Sequence, residues 1–433
     1  MGHKTFPGGV HPLDFKYFSK DEIIERCPLP SRVILPLSQH IGKLPVPIVK
    51  VGEIVKTGQL IAQASDGISL NMHATISGKI KSIDTVSHPK WNFIQGIEIE
   101  GDGRDTWVEL VDEEDFMQLS GEEMRNRIEE AGICGLGGAG FPSGIKLNPP
   151  SYNTIDTAIV SGVECEPYLT ADCRLMMEKP EEIIWGLKIM MKILGAKNGI
   201  IGIESNKPKS IKTLKKLVKK EKNIRVVTLE FKYPQGGEKQ LIYATTKRRV
   251  LSKSFPSSVG VIVNNVATVV SMYEAVRYKK PLVEKVITIS GKIVKRPSNF
   301  MARIGTKMSD ILAHCEGTTH PIIKAVIGGP MMGYAVNTLD VPLIKTVSGM
   351  ILFGKSEIKT EEEKPCLRCG RCIDVCPNGL MPNFIASSVK YNDFVGAKKA
   401  GVVDCMQCGC CSYVCPAHIK FIQWIDIGKL KVM

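Results

Sequence analysis

No stretch of this 433-residue chain approaches the roughly 20 uninterrupted apolar residues that a membrane-spanning helix requires. Among the most apolar runs, Val259–Val270 is too short and carries Asn264 and Asn265 within it. The N-terminus lacks the basic, apolar and small-residue regions of a signal peptide. The sequence therefore predicts a protein that neither spans a membrane nor is exported, in a reducing cytoplasm where free cysteines persist. No aromatic residue interleaves with the lysines of the most basic segment, Lys207–Lys222, which argues against nucleic acid as a partner. Disorder is excluded by a hydrophobic content of 43%, enough for buried cores. The length exceeds one ordinary core and suggests about three domains.

Cysteine is plentiful and unevenly placed. Eight of the fourteen cysteines form two matching runs near the C-terminus. Cys366, Cys369, Cys372 and Cys376 precede Pro377, and Cys405, Cys408, Cys411 and Cys415 precede Pro416. Both read C-x2-C-x2-C-x3-C-P. In this spacing three thiolates converge on one iron–sulfur cube, while the cysteine before proline ligates the other. The pattern thus assigns one [4Fe–4S] cluster to Cys366, Cys369, Cys372 and Cys415, and a second to Cys405, Cys408, Cys411 and Cys376. Structural zinc is the competing reading, but it favours paired C-x2-C knuckles with a longer gap between them. Cys410 interrupts the second run, and only Cys411 keeps the two-residue spacing to Cys408.

The net charge of +13 is concentrated in Lys207–Lys222. Ile211, Leu214, Leu217 and Val218 recur there at helical spacing, so one amphipathic helix with a solvated lysine face accounts for it. A docking face for an acidic ferredoxin-type partner or an anionic membrane surface is the functional reading. Upstream, residues 30–100 alternate short β-branched segments with Gly52, Gly58, Gly67 and Gly78, the pattern of many short strands joined by tight turns. The spacing V-x-x-G-x-x-V-x-x-G-x-x-I-A resembles a lipoyl-like barrel-sandwich hammerhead. Ala74 and Thr75 stand where a carrier would present its modified lysine, so a structural module is expected.

Residues 120–280 alternate between helical and strand patterns. Helices are expected at 121–131 and 180–194, with strands at 157–163, 199–204 and 224–229. That alternation predicts an α/β layer with a largely parallel sheet. Residues 284–350 show short strands flanking one helix at 307–315, a β-grasp-like pattern. The charged segment 355–364 leads into a cluster domain expected to be mainly helical, because 380–400 has helical periodicity.

Within the α/β region, Gly135-Leu136-Gly137-Gly138-Ala139-Gly140-Phe141-Pro142-Ser143-Gly144-Ile145-Lys146 is neither a Walker loop nor a Rossmann fingerprint. Its glycines allow close backbone approach and an anion nest, and Lys146 can add a charge for a phosphate. A flexible loop is the bland reading. Ser161–Pro167, with Glu164 and Glu166, ends one expected strand, where α/β ligands bind. Asn264 and Asn265 end another, and their amides can donate to and accept from a flavin or ribose edge. His73, His314 and His418 have no partner motif.

These segments resemble the flavin- and NADH-binding subunit family of respiratory complex I. The patterns G-x-G-G-A-G-F-P-x-G-x-K, E-x-E-P and V-N-N-V-x-T match Gly135–Lys146, Glu164–Pro167 and Val263–Thr268. The resemblance implies that Gly135, Gly137, Gly138, Gly140 and Lys146 hold FMN phosphate and that Asn264, Asn265 and Thr268 line the flavin. It further implies that Phe141 and Glu166 face the adenine and ribose of NADH, and that Glu164 lies beside the nicotinamide–flavin stack as the catalytic candidate. Gly237 and Glu238 match part of a G-E-E segment near the nicotinamide, with Lys239 departing from it. Ser161 and Val163 replace the family's Asn and Asp.

Phe6-Pro7-Gly8-Gly9-Val10-His11-Pro12, Gly328-Gly329-Pro330-Met331-Met332-Gly333 and the doubled cysteine run are similar to the RnfC family, the C subunits of Rnf complexes. This resemblance spans nearly the whole chain. It implies an α/β multidomain fold: a barrel-sandwich domain (1–115), a complex-I-flavoprotein-like FMN/NADH domain (116–282), a β-grasp soluble-ligand-binding domain (283–354) and a helical two-cluster ferredoxin domain (355–433). The implied activity is ferredoxin:NAD+ oxidoreduction, with FMN and two [4Fe–4S] clusters as cofactors and NAD(H) as substrate. Ferredoxin would be the upstream donor, the partners integral-membrane and ferredoxin-like sister subunits, and the location peripheral, on the cytoplasmic face of the membrane. FMN reconciles the two-electron chemistry of NAD(H) with one-electron clusters. A cobalamin reductase of similar plan and a docking or relay protein without nucleotide binding are the alternatives.

Overall fold

The computed structural model describes residues 3–358 and 361–432. Alternating apolar residues build two small sheets near the N-terminus. One orders Arg32–Pro36, Asn92–Gly101, Gly78–His88 and Ile54–Val55, all antiparallel; the other orders Val46–Pro47, Leu60–Gln63 and Met72–His73. Val33, Leu35, Ile80, Ile97 and Ile99 turn inward against Ile61 and Met72. At Gly78 the strands approach so closely that a Cβ would overlap Glu100 O, which is why the turn requires glycine.

The same apolar core runs on without a break into Met124 and Ile128 of the helix Gly121–Glu130 and Ile183, Leu187 and Met190 of the helix Pro180–Leu194. The first of these helices starts in a capping box, in which Ser120 and Glu123 exchange hydrogen bonds. Both lie within a residue of their sequence-predicted bounds. Behind them a four-stranded parallel sheet orders Ile224–Leu229, Asn198–Glu204, Thr157–Gly162 and Val261–Asn265. Its three strands other than the edge strand Ile224–Leu229 are buried on both faces, hence their near-continuous apolar runs. The chain winds outward one way from Thr157–Gly162 and then returns to its other side as Val261–Asn265. Successive connections therefore diverge between these two strands, leaving a crevice at their carboxyl ends.

The basic segment is a helix, Pro208–Leu217, followed by a 3-10 turn at Val218–Lys220. Leu214 and Val218 are buried, while Lys209, Lys212, Lys215, Lys216 and Lys219 are exposed. Three helices were not anticipated: Ala171–Glu178, Glu238–Thr246 and Val266–Tyr278. The last begins where the Asn265 side chain accepts the Ala267 N–H. Its apolar start continues the preceding strand's pattern, so periodicity alone hides the boundary.

A third layer is a six-stranded mixed sheet with its own core. Its order is Ile24–Arg26, Ser298–Arg303, Glu284–Ser290, Gly349–Phe353, Lys324–Ile327 and Tyr334–Val336. Glu284–Ser290 and Gly349–Phe353 run parallel at its centre, and the helix Met308–Ala313 packs on it. The edge strand Ile24–Arg26 precedes the barrel in sequence, so the N-terminal segment crosses to this sheet before the barrel begins.

Described residues 361–432 contain helices and no strand. Pro382–Lys390, Phe394–Lys399 and Phe421–Val432 pack through Ile385, Val389, Ala397, Phe421 and Ile425. The two cysteine runs repeat in backbone as in sequence. Gly370 and Gly409 both have φ +78° and both precede a single helical turn, Arg371–Asp374 and Cys410–Tyr413. Among the described residues no helix is long and apolar enough to cross a membrane.

Candidate functional site

The repeated turns bring the eight cysteines around two hollows. Cys405, Cys408 and Cys411 line one together with Cys376, against Leu380, Ile385, Ile422 and Ile425. Cys366, Cys369 and Cys372 line the other together with Cys415, against Ile419 and Phe421. Backbone N–H groups of Arg368, Leu380 and Gln407 donate to the sulfurs of Cys366, Cys376 and Cys405 at 3.3–3.4 Å. Burial pushes the Cys376 and Cys405 thiols up, and their backbone donors oppose that shift. A tetrahedral zinc site would bring its sulfurs to about 3.8 Å from one another. Among the described residues no three His, Cys, Asp or Glu side chains converge that tightly on a single ion. Four thiols spread around an apolar hollow fit a cube better than an ion. Cys410 also lines the first hollow, but its thiol approaches Tyr233 O at 3.9 Å.

The glycine loop sits at the crevice of the parallel sheet. Gly135 N–H donates to Phe141 O (2.9 Å) and Gly140 N–H to Gly135 O (3.0 Å), closing the loop on itself. Leu136 N–H donates to Thr268 Oγ1 (2.9 Å), and Gly137 packs against the Asn265 side chain. Gly138, at φ +103°, has open space where a Cβ would stand. The loop thus presents bare backbone outward, as close approach of a cofactor demands. From the barrel side, Ile41 N–H donates to Gly140 O at 2.9 Å. Two buried groups here lack a strong partner: Ser143 Oγ has none, and the Asn264 amide reaches only Met190 Sδ at 3.6 Å. Polar groups held dry without partners fit a site built to receive a polar ligand.

Glu164 is buried beside the crevice. Its Oε1 accepts the Asp172 N–H at 2.8 Å, and Lys16 Nζ lies 3.6 Å from its Oε2. Lys16 also donates to the carbonyls of Glu166 and Leu169. Asp172, which no sequence pattern marked, accepts from Asn265 Nδ2 at 2.6 Å. Burial, reinforced by the adjacent Glu164 charge, pushes the Asp172 carboxyl up to about 7. Lys146 and Glu238 form an ion pair of 2.6 Å, so two predicted site residues meet directly. Gly237 stands at the N-terminus of the helix carrying Glu238, with Met406 of the cluster domain close against it.

Glu166 is placed differently from the other predicted residues. Its carboxylate accepts the backbone N–H groups of Met331 (3.0 Å) and Met332 (2.9 Å) in the third layer. The resemblance implied a ribose contact; in the fold each oxygen accepts one of these backbone donors. At the edge strand Ile224–Leu229, Lys212, Lys215, Lys216 and Lys219 border an open groove lined also by Ile211 and Thr228.

Comparison with known proteins follows the same division of the chain. The family described as RnfC barrel sandwich hybrid domain matches residues 4–104, and the Nuo51 FMN-binding domain matches 128–274. The SLBB domain matches 286–335 and the 4Fe-4S dicluster domain 358–416. The C subunit of the proton-translocating ferredoxin:NAD(+) oxidoreductase complex of Clostridium ljungdahlii is 44% identical over 384 residues, covering 88% of this chain and 84% of that relative. The C subunit of the ion-translocating oxidoreductase complex of Rhodobacter capsulatus is 38% identical over 428 residues, 98% of this chain and 82% of the relative. Its counterpart in the Na(+)-translocating ferredoxin:NAD(+) oxidoreductase complex of Acetobacterium woodii is 36% identical over 391 residues, 90% and 88%. Among solved structures, a chain of NAD+-reducing [NiFe]-hydrogenase in the H2-reduced state superposes with TM-score 0.52 at 15% identity. That match covers 72% of this chain and 63% of the hydrogenase chain, and it is a likeness of fold alone.

Proposed function

The chain belongs to the family of C subunits of ion-translocating ferredoxin:NAD(+) oxidoreductase complexes, and from that membership we propose that it is the place where one-electron carriers meet NAD(H). Its chemistry is oxidoreduction within the complex, with FMN and two [4Fe–4S] clusters as resident cofactors; ion translocation belongs to other subunits. Bound FMN supplies the exchange of a hydride with NAD(H) on one side and of single electrons with the clusters on the other.

The protein's own residues divide that work. Gly137 and Gly138 would turn backbone N–H groups to the FMN phosphate, Gly135 and Gly140 shape the loop through the hydrogen bonds that close it, and Lys146 would add charge beside Glu238. Asn264, Asn265 and Thr268 border the flavin ring, with Asp172 fixing the Asn265 amide. Phe141, Gly237, Glu238 and Glu164 form the NAD(H) side. Glu164 serves to orient the nicotinamide and need not exchange a proton, because hydride transfer requires no protein acid. Cys366, Cys369, Cys372 and Cys415 hold one cluster and Cys405, Cys408, Cys411 and Cys376 the other. The units are residues 1–115, a lipoyl-like barrel sandwich; 116–282, the flavin domain; 283–354, a β-grasp; and 355–433, a helical ferredoxin unit. Partners are the membrane-integral and ferredoxin-like sister subunits, ferredoxin upstream and NAD(H), with the chain peripheral on the cytoplasmic face of the membrane. The relatives favour neither a cobalamin reductase nor a non-catalytic relay.

The observation that carries this reading is the glycine loop seated at the crevice of the parallel sheet, in a chain that also holds two four-cysteine hollows. Anaerobic purification followed by NADH titration tests it: flavin absorbance should bleach first and cluster absorbance next. An NADH-insensitive flavin would overturn it.

A further inference from the structure

Two motifs that the proposed function leaves without a role, Phe6–Pro12 and Gly328–Gly333, meet at one seam. Val10 and Tyr233 exchange backbone hydrogen bonds in both directions at 2.8 Å, joining the Phe6–Pro12 segment to the flavin domain. Gly9 N–H donates to Val375 O at 2.8 Å, and a Cβ at Gly8 would stand 2.9 Å from Cys376 O. The same segment therefore lies against the wall of the Cys376–Cys405–Cys408–Cys411 hollow. Tyr233 is 1% exposed, and its hydroxyl donates to Cys408 O at 2.8 Å, with Glu166 Oε1 at 3.5 Å. Glu166 in turn accepts the N–H groups of Met331 and Met332. Gly329 makes this possible, since a Cβ there would overlap the Glu166 carboxylate. Met331 then packs with Val10, Tyr233, Cys408 and Cys410, and its carbonyl lies against Gly409.

We propose that Glu166 and Tyr233 are positioning residues: a latch that clamps the Cys408 loop, the Met331–Met332 turn and the flavin domain together, and so sets the separation of the second cluster from the flavin. This rests on the proposed function. The chemistry suits a latch. A carboxylate accepting two backbone N–H donors makes the strong, charge-assisted class of hydrogen bond. Both donors come from consecutive residues, so neither can be satisfied without docking the whole turn. The buried Tyr233 hydroxyl gains its short 2.8 Å partner only when the Cys408 loop is seated. Electrons cross this seam singly, each crossing oxidising one side and reducing the other by one electron, and neither Glu166 nor Tyr233 gains or loses a proton. Transfer between cofactors falls steeply with their separation, so loosening the seam should slow the crossing and leave the NADH reaction alone.

The test uses the full chain, anaerobically reconstituted, with NADH as reductant in stopped flow. In Tyr233→Phe, flavin bleaching and the KM for NADH should match the unaltered protein, while reduction of the second cluster slows about tenfold, equivalent to about 1.4 kcal/mol. Glu166→Ala should slow that reduction likewise, and Glu166→Gln, which keeps one acceptor oxygen, to a smaller degree. Hydrogen exchange at the Met331 and Met332 amides should accelerate in both Glu166 variants, a readout independent of turnover. A raised KM for NADH with unchanged cluster reduction would make Glu166 a nucleotide ligand and overturn the latch; so would unaltered rates and exchange. If Glu166→Ala does not fold, the near-isosteric Glu166→Gln and Tyr233→Phe carry the test. If NADH fails to bleach the flavin of the unaltered protein, the proposed function fails, and exchange at Met331 and Met332 still judges the latch.

Discussion

Cys376 and Cys415 each close one run in sequence and face the hollow of the other run in space. Serine at 376 should therefore damage the cluster of Cys405, Cys408 and Cys411 and spare its neighbour. Electron paramagnetic resonance of the reduced variant should keep one cluster signal unaltered, that of Cys366, Cys369, Cys372 and Cys415. The crossing is legible in the C-x2-C-x2-C-x3-C-P spacing, in which the cysteine before proline belongs with the other run. Asp172 was not legible. It lies on an unremarked helix, and only folding brings it to Asn265 and Glu164. Its raised pKa makes a stability prediction. The folded chain holds this proton where the unfolded chain has released it, so the contribution is whole below about pH 4 and is lost as pH rises to about 7. The groups around it are Glu164, Asn265, Lys285 and Lys207. The melting temperature of Asp172→Asn relative to the unaltered protein should accordingly climb between pH 4 and pH 7 and level off above.

At the scale of elements, the helices Pro180–Leu194 and Val266–Tyr278 cross at Gly186, where a Cβ would overlap the Val269 carbonyl. Two effects compete in Gly186→Ala. Helix propensity favours alanine by about 1 kcal/mol. Overpacking costs about 1–3 kcal/mol, and here the obstacle is helix backbone, which yields least. Packing should win, with a net loss of about 1–2 kcal/mol in denaturant unfolding. Neither helix-crossing geometry nor this need for glycine can be read from periodicity, which reports only that Pro180–Leu194 is amphipathic. The helix Val266–Tyr278 escaped the sequence reading altogether, because Asn265 caps it with apolar residues continuing on either side of the Asn pair. By contrast, the basic helix at Pro208–Leu217 was legible, since its apolar stripe and lysine face obey one period.

For the whole molecule, the cores decide which parts act together. The barrel sandwich and the flavin domain share one continuous core, whereas the cluster domain has its own, in which Cys372 and Cys411 pack beside Ile385 and Phe421. Iron chelation should therefore abolish the unfolding transition of the cluster domain and leave that of the barrel–flavin unit within a few degrees of its original temperature by calorimetry. A shift of the second transition comparable to the first would show that the seam at Tyr233 couples the two cores more strongly than its few hydrogen bonds suggest.

The sequence by itself determined the chemistry of this chain. Three of each cluster's four cysteines, the glycine loop and the strand-end amides are each close together in sequence, so spacing alone exposes them. Tertiary structure decided how these parts are held to one another. Lys16 reaches Glu164, Glu166 takes its donors from the Met331–Met332 turn, and the Phe6–Pro12 segment lies against the Cys376 loop. Each of these contacts joins segments far apart in the chain, and burial with hydrogen-bond satisfaction selects them only once the separate cores have packed.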